Sequence, residues 1–198
     1  LKLGAYEFIT KPFATEQLLN FINRALENIK LKRENLKLEN KMFHSFDLIG
    51  ESNQILKIKK LISKLSSTDS RVLISGPTGS GKELVARKIH KNSNRSKNPF
   101  IVMNGALLQS DNYENELFGS ENKDGSVSYG FLEKASNGTL LIDEVSEIPL
   151  DTQAKILRVL IDQKFKRING TKDINVNIRI ISSTSKDLKS EVTMGNFR

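Results

Sequence analysis

The clearest chemical signal in the sequence is a glycine-rich run that ends in a lysine. The run GPTGSGK fits the pattern G-x-x-x-x-G-K and lies between an apolar stretch and a helical pattern. Glycines let backbone N–H groups curl around phosphate oxygens, and the positive N-terminal end of the following helix adds to the attraction. A glycine-rich turn can also be purely structural, but the strand-loop-helix context favours nucleotide binding, with ATP as the expected cofactor, by Gly76, Pro77, Thr78, Gly79, Ser80, Gly81 and Lys82.

A second signal is an apolar strand pattern that ends in two acidic residues. The run TLLIDE would deliver the carboxylates of Asp143 and Glu144 to one edge of a sheet. Asp143 can hold Mg²⁺, directly or through water, while Glu144 can polarise the water that attacks the γ-phosphate. Such an anchor is needed because Glu83 stands where the general motif has a hydroxyl for Mg²⁺. The alternative, a buried strand followed by a solvated acidic turn, is less favoured beside a phosphate-binding loop.

The remaining polar candidates carry weaker signals. Asn104 ends an apolar run, and its amide can orient or restrain Glu144, although an asparagine at a strand end is usually only a turn former. His44 and His90 have no partners at metal-ligand spacing. We therefore interpret both histidines as surface or packing residues.

The elements that must position these residues follow from the hydrophobic pattern. A helical pattern runs from Ile55 to Leu65, and strands then alternate with helices. This alternation predicts an α/β fold built on a parallel sheet. The predicted strands are Val72–Ser75, Phe100–Asn104, Thr139–Ile142 and Asn177–Ser182, and the predicted helices between them are Glu83–His90 and Leu150–Asp162.

The first part of the chain carries its own pattern. An apolar, aromatic run over residues 5–9 predicts a short strand, and helical spacing begins at Thr15. Apolar residues then recur seven positions apart, which is compatible with a coiled coil between two copies of the chain. A single helix docked by one apolar stripe on its own domain is equally compatible. The residues of the seven-residue repeat are Ile22, Ile29, Leu36 and Phe43.

Composition narrows the class of protein. The 198 residues are 37% hydrophobic and 27% charged, as expected of a globular chain with a packed core. The net charge of +8 suits nucleic acid, nucleotide phosphates or an acidic partner, but basic residues spread over solvated faces explain it as well. The absence of cysteine excludes disulfides and thiolate metal sites and fits a cytoplasmic location. No apolar run approaches the roughly 18 residues of a membrane span.

Taken together, these residues resemble the central AAA+ domain of the NtrC-type activators, ATPases that remodel RNA polymerase carrying sigma-54. The resemblance implies a P-loop AAA+ fold, a three-layer sandwich with a parallel sheet, and an oligomeric ring or dimer. It also implies that Glu83 is normal after the loop lysine, that Asn104 is a switch partner of Glu144, and that Arg198 is a finger acting on a neighbouring subunit's ATP. The segments that carry it are GPTGSGKE, Asn104, ELFG, GTLLIDE, IPLDTQAKILRVL, RIISSTSKDL and GNFR.

The run LKLGAYEFITKPF resembles the last strand of a two-component receiver domain. We therefore expect a receiver stub over residues 1–14, the last receiver helix and a linker helix over 15–46, and an ATPase domain over 47–198, in the manner of NtrX-like response regulators. The resemblance implies a sensor histidine kinase as partner through the missing receiver part. It also implies DNA binding through a C-terminal domain absent from this chain.

Two departures from the family pattern shape the functional expectation. Ser120–Tyr129 reads SENKDGSVSY where these activators carry the loop that touches sigma-54, so we expect no contact with that sigma factor. Ser185 replaces the usual asparagine that reads the γ-phosphate and has a shorter polar reach. The expected function is the ATP-binding core of a response regulator of transcription, with hydrolysis coupled to remodelling of an oligomer. The alternative is a nucleotide-binding oligomerisation module without turnover.

Overall fold

The computed structural model describes residues 47–198, apart from 109–111 and 123–124, and ten helical positions between Thr15 and Lys30. Contacts between Cα atoms divide the chain into two units, Leu1–Asp47 and Leu48–Arg198. In the first unit the helix predicted from Thr15 is present at all ten described positions. The strand expected at residues 5–9, and Leu36, Phe43 and His44, lie outside the described residues.

The second unit alternates strands and helices along the chain. Its helices are α1 (Asn53–Ser66), α2 (Lys82–Lys91), α3 (Tyr113–Phe118), α4 (Phe131–Lys134), α5 (Leu150–Asp162) and α6 (Leu188–Thr193). Its strands are β1 (Val72–Ser75), β2 (Phe100–Asn104), β3 (Gly119–Glu121), β4 (Val127–Tyr129), β5 (Thr139–Asp143), β6 (Lys164–Phe165), β7 (Ile174–Asn175) and β8 (Arg179–Thr184). Across the described residues, no helix combines the length and apolarity needed to cross a membrane.

Four strands form one parallel sheet in the order β1-β8-β5-β2. Each strand enters from the same side because a helix returns the chain across the sheet between parallel neighbours. The carboxyl ends of all four strands therefore meet at one edge. This edge collects the residues Ser75, Asn104, Asp143 and Thr184, which end their strands.

Helices cover the two faces of this sheet, because alternate residues of the central strands point to opposite sides. Leu140 and Ile142 of β5 pack in the cluster that contains α5, whereas Leu141 between them packs in the cluster that contains α1 and α2. All three of these side chains are at most 1% exposed, so β5 is buried on both faces. The α/β fold with a three-layer arrangement is confirmed.

The boundaries of β8 differ from the prediction. The sequence pattern placed a strand over Asn177–Ser182, whereas β8 runs from Arg179 to Thr184. Arg179 starts the strand, and its side chain is only 1% exposed. One guanidinium N–H donates to the carbonyl of Leu65 at 2.8 Å, and this contact helps the charged side chain to lie inside the protein. The strand continues through two polar residues, since Ser183 and Thr184 are themselves buried.

Candidate functional site

The glycine-rich run forms a loop between β1 and α2. Its first amide is fixed by the neighbouring strand, because Gly76 N–H donates to the carbonyl of Thr184 at 3.2 Å. Gly79 and Gly81 have φ angles of +79° and +87°, which lie in the left-handed region that favours glycine. Residues 77–80 are exposed, so the loop is open to a ligand at the carboxyl edge of the sheet.

Lys82 begins α2 and folds back over this loop. Its ammonium group donates to the carbonyl of Gly76 at 3.0 Å and to that of Pro77 at 3.5 Å, and it lies 3.0 Å from Glu144 Oε1. The side chain is only 8% exposed, so its charge is held against the loop rather than in bulk water. A partly buried cation at the start of a helix, beside an open glycine-rich loop, is an arrangement that attracts phosphate.

Glu83, the next residue, takes a different direction. Its carboxylate accepts a hydrogen bond from Nε of Arg87, one turn along α2, at 2.7 Å. Glu83 is thus paired on the outer surface of its own helix. Its carboxylate is paired with Arg87 rather than with Asp143 or Glu144 in the part of the chain that the structure describes.

Asp143, the last residue of β5, is held from both neighbouring strands. Ser183 Oγ of β8 donates to its Oδ1. On the other side, Asn104 Nδ2 of β2 donates to its Oδ2 at 3.5 Å. Sequence reasoning missed Ser183. The available signal was its place two residues before Ser185, which puts the two side chains on the same side of an extended chain.

Glu144 follows in a backbone conformation that is uncommon outside glycine, with φ of 52° and ψ of 57°. The turn is supported by Gly105, whose N–H donates to the carbonyl of Asp143 at 2.7 Å. A Cβ at position 105 would lie 2.6 Å from the carbonyl oxygen of Glu144, so only glycine fits this close approach. The backbone therefore fixes where the Glu144 side chain leaves the sheet.

Two residues hold the carboxylate of Glu144, one at each of its oxygens. Its Oε1 pairs with Lys82, and its Oε2 accepts hydrogen bonds from the backbone N–H of Ser185 at 2.8 Å and from the Ser185 hydroxyl at 2.7 Å. Burial works to raise the pKa of Glu144, but the Ser185 hydrogen bonds and the Lys82 charge outweigh burial and hold this pKa below its ordinary value. Glu144 is therefore an ionised carboxylate beside the loop at neutral pH.

Two residues expected to act with Glu144 lie elsewhere. Asn104 directs its side-chain amide to Asp143, and its Oδ1 accepts from the N–H of Ala106 at 2.9 Å, so its role as switch partner stays a prediction. Arg198 lies beside α5, where its backbone N–H donates to Gln153 Oε1 at 3.0 Å. Its role on a neighbouring subunit likewise stays a prediction.

The segment Ser120–Tyr129 contains an antiparallel hairpin of β3 and β4. Arg167, distant in sequence, ties the stem of the hairpin to the domain. Its guanidinium pairs with Glu121 at 2.8 Å and with Glu133 at 2.6 Å, and it lies 5.3 Å from the centre of the Tyr129 ring. The stem is therefore fixed by an ion network, which sequence reasoning missed because its members are far apart in the chain.

His90, for which no chemical role was predicted, is a packing residue. It is 2% exposed, its Nδ1 lies 2.9 Å from the Thr139 hydroxyl, and its ring packs against Phe100. Burial lowers the pKa of His90 to about 4, although a hydrogen bond to the backbone of Asn98 acts in the opposite direction. The ring is thus neutral in the folded chain at pH 7.

Comparison with known proteins adds to this geometry. A family model described as the sigma-54 interaction domain matches residues 48–198. The nitrogen assimilation regulatory protein NtrX of Azorhizobium caulinodans is 42% identical over 199 residues, covering 100% of this chain and 44% of that protein. A crystal structure of NtrX from Brucella abortus is 44% identical with a TM-score of 0.81, covering 100% of this chain and 44% of that one. A second, in complex with ATP, is 44% identical with a TM-score of 0.76, covering 100% and 42%. The chain spans less than half the length of these relatives.

Proposed function

This chain belongs to the family of sigma-54 interaction domains, and on that premise we propose that it is the ATP-binding core of a two-component response regulator of transcription. The observation that carries the proposal is the loop at residues 76–82, with a partly buried Lys82 facing the acidic end of β5. A cation, a glycine-rich loop and a helix N-terminus on one side, and two carboxylates on the other, form a site for a nucleoside triphosphate.

The adenine nucleotide is supported by the relative that was crystallised with ATP at 44% identity. In this chain the phosphates would lie on the N–H groups of the loop and the first turn of α2, and Lys82 would contact the β- and γ-phosphates. Ser185 directly follows β8 and contacts Glu144, which places it near the proposed phosphate site as well.

Mg²⁺ fits Asp143 better than it fits Glu83. Magnesium is usually bound by one or two carboxylates together with phosphate oxygens and water. Asp143 stands at the sheet edge with its two oxygens oriented by Ser183 and Asn104, whereas Glu83 is engaged by Arg87. The ion would neutralise charge on the phosphates, while the protein supplies the placement of the Asp143 carboxylate.

Hydrolysis would depend on Glu144 as the group that polarises water, because its ionised carboxylate stands beside the loop. Asn104 contacts Asp143, the residue before Glu144, and its amide would have to turn away from Asp143 to restrain Glu144. Arg198 would act on the ATP of a second copy of the chain, so we propose that turnover requires an oligomer.

The proposed output does not include contact with sigma-54, in spite of the family name. The segment Ser120–Tyr129 includes Glu121, Lys123 and Asp124, and desolvating charges at a dry interface costs several kcal/mol when they are left unpaired. Its stem is also engaged by Arg167. Open-complex formation with sigma-54 holoenzyme tests this: we expect no ATP-dependent activation by the full-length protein, and clear activation would contradict the proposal.

Equilibrium titration of the chain with fluorescent ADP and ATP analogues tests nucleotide binding itself. We expect saturable binding that unlabelled ATP displaces. Binding that ATP cannot displace, or no binding, would show that the loop is only a structural turn.

A further inference from the structure

The Glu144 carboxylate joins the loop lysine to the end of β8. One oxygen lies 3.0 Å from Lys82 Nζ, and the other receives both the N–H and the hydroxyl of Ser185, at 2.8 and 2.7 Å. The three groups come from three different places in the fold: α2, the turn after β5, and the residue that follows β8. The carboxylate of Glu144 is therefore the anion that pairs with Lys82.

We propose that Ser185 is a positioning residue that holds Glu144 against Lys82, so that nucleotide phosphate must displace the carboxylate to bind. This inference rests on the proposed nucleotide site and concerns how that site is kept closed. It assigns to Ser185 a role on the glutamate, distinct from the reading of the γ-phosphate expected of this position.

The donors of Lys82 support the competition. An ammonium group has three N–H donors. In this structure they face the carbonyls of Gly76 and Pro77 and the carboxylate of Glu144. An arriving phosphate oxygen needs one of these donors, and the Glu144 carboxylate is the partner that would also repel it. The carboxylate is therefore the contact that has to break.

The contacts of Ser185 explain why the carboxylate stays in place. A serine is short enough for its hydroxyl and its own N–H to reach the same oxygen, which leaves the other oxygen free for Lys82. Hydrogen bonds to a charged acceptor are about twice as strong as neutral ones. The amide of Asn104 is directed to Asp143, so it does not share this task.

The test compares nucleotide affinity in single and double variants of the whole chain, with ADP and a non-hydrolysable ATP analogue as probes. Ser185→Ala removes the hydroxyl but keeps the N–H, so we expect the dissociation constant to fall about three- to tenfold. Ser185→Thr keeps the hydroxyl and should bind as the wild type does. In a Glu144→Ala background, Ser185→Ala should change nothing further, because Ser185 acts through the carboxylate.

The outcomes separate this inference from the proposed function. If the wild type binds nucleotide and Lys82→Ala does not, but Ser185→Ala binds equally or more weakly, then Ser185 does not hold the site closed. An effect of Ser185→Ala that persists in the Glu144→Ala background would also overturn the inference, because Ser185 would then act directly on the nucleotide. Absence of displaceable binding in the wild type would instead refute the nucleotide site.

Discussion

Replacement of Lys82 by alanine is the most direct perturbation of the proposed site. The substitution removes the one charge that the structure holds between the loop carbonyls and Glu144. It should leave the fold intact, because the glycine conformations and the Gly76 to Thr184 hydrogen bond do not depend on the side chain. We therefore expect a loss of nucleotide affinity without a comparable loss of stability.

The magnitude has two parts. A hydrogen bond between charged partners contributes about 1.5–3 kcal/mol, which corresponds to about 10- to 150-fold in the dissociation constant. In addition, Glu144 loses its counter-charge while remaining beside the incoming phosphates. Like charges about 4 Å apart repel by up to about 4 kcal/mol near a protein surface, so the loss should reach or exceed the upper end of that range where the carboxylate keeps its position.

Titration with a fluorescent ATP analogue measures the loss, and Lys60→Ala on the exposed surface of α1 is the matched control. The double variant Lys82→Ala with Glu144→Ala separates the lost hydrogen bond from the repulsion. It should regain the part of the nucleotide affinity that the repulsion by Glu144 removes. Equal affinity of Lys82→Ala and wild type would refute the assignment of the lysine to the phosphates. A parallel drop in Lys60→Ala would show that the effect is one of overall charge.

Three further predictions concern other parts of the molecule. In a full-length version, Glu144→Gln should bind ATP at least as well as the wild type. It should release phosphate about 100-fold or more slowly, because an amide cannot act as a base. Unchanged turnover would show that another residue polarises the attacking water. Burial lowers the pKa of His90 from the ordinary 6.5 to about 4, so between these pH values the unfolded state binds more protons than the folded state. The free energy of unfolding should therefore fall by about 3 kcal/mol as pH drops from 6.5 to 4. Urea unfolding of wild type and His90→Gln measures this, and an equal slope in both would exclude His90 as the cause. Gly105→Ala should displace the turn at Glu144, so we expect this variant to lose turnover while it still binds nucleotide. Full activity would contradict the close approach at 2.6 Å.

Much of the fold was predictable because its signals are local. The middle of β5 is the apolar run Leu140–Ile142, as expected of a strand buried on both faces, and α5 occupies the predicted residues Leu150–Asp162. The loop at 76–82 combines motif and context within one strand-loop-helix unit. Each of these predictions used residues that are neighbours in the chain.

The parts that escaped prediction depend on contacts between distant residues. The hairpin of β3 and β4 has strands of three residues, too short for a periodic signal, and its stem is fixed by Arg167, which comes after α5 in the sequence. The start of β8 at Arg179 also escaped prediction, because a single sequence does not show that the carbonyl of Leu65 meets this side chain. The partners of His90, such as Thr139, are hidden in the same way.

The order of strands explains why the contacts around the acidic pair could not be read from the chain. In sequence, β1 and β5 carry the loop and the carboxylates, and β8 comes last. In the sheet, however, β8 lies between β1 and β5, so its final residues face the loop on one side and the acidic pair on the other. Ser183 then reaches Asp143, and Ser185 reaches Glu144. Each serine donates a hydrogen bond to one carboxylate. Substitution of Ser183 should therefore disturb the position of Asp143, the proposed metal ligand, whereas substitution of Ser185 should disturb the position of Glu144, which competes for Lys82.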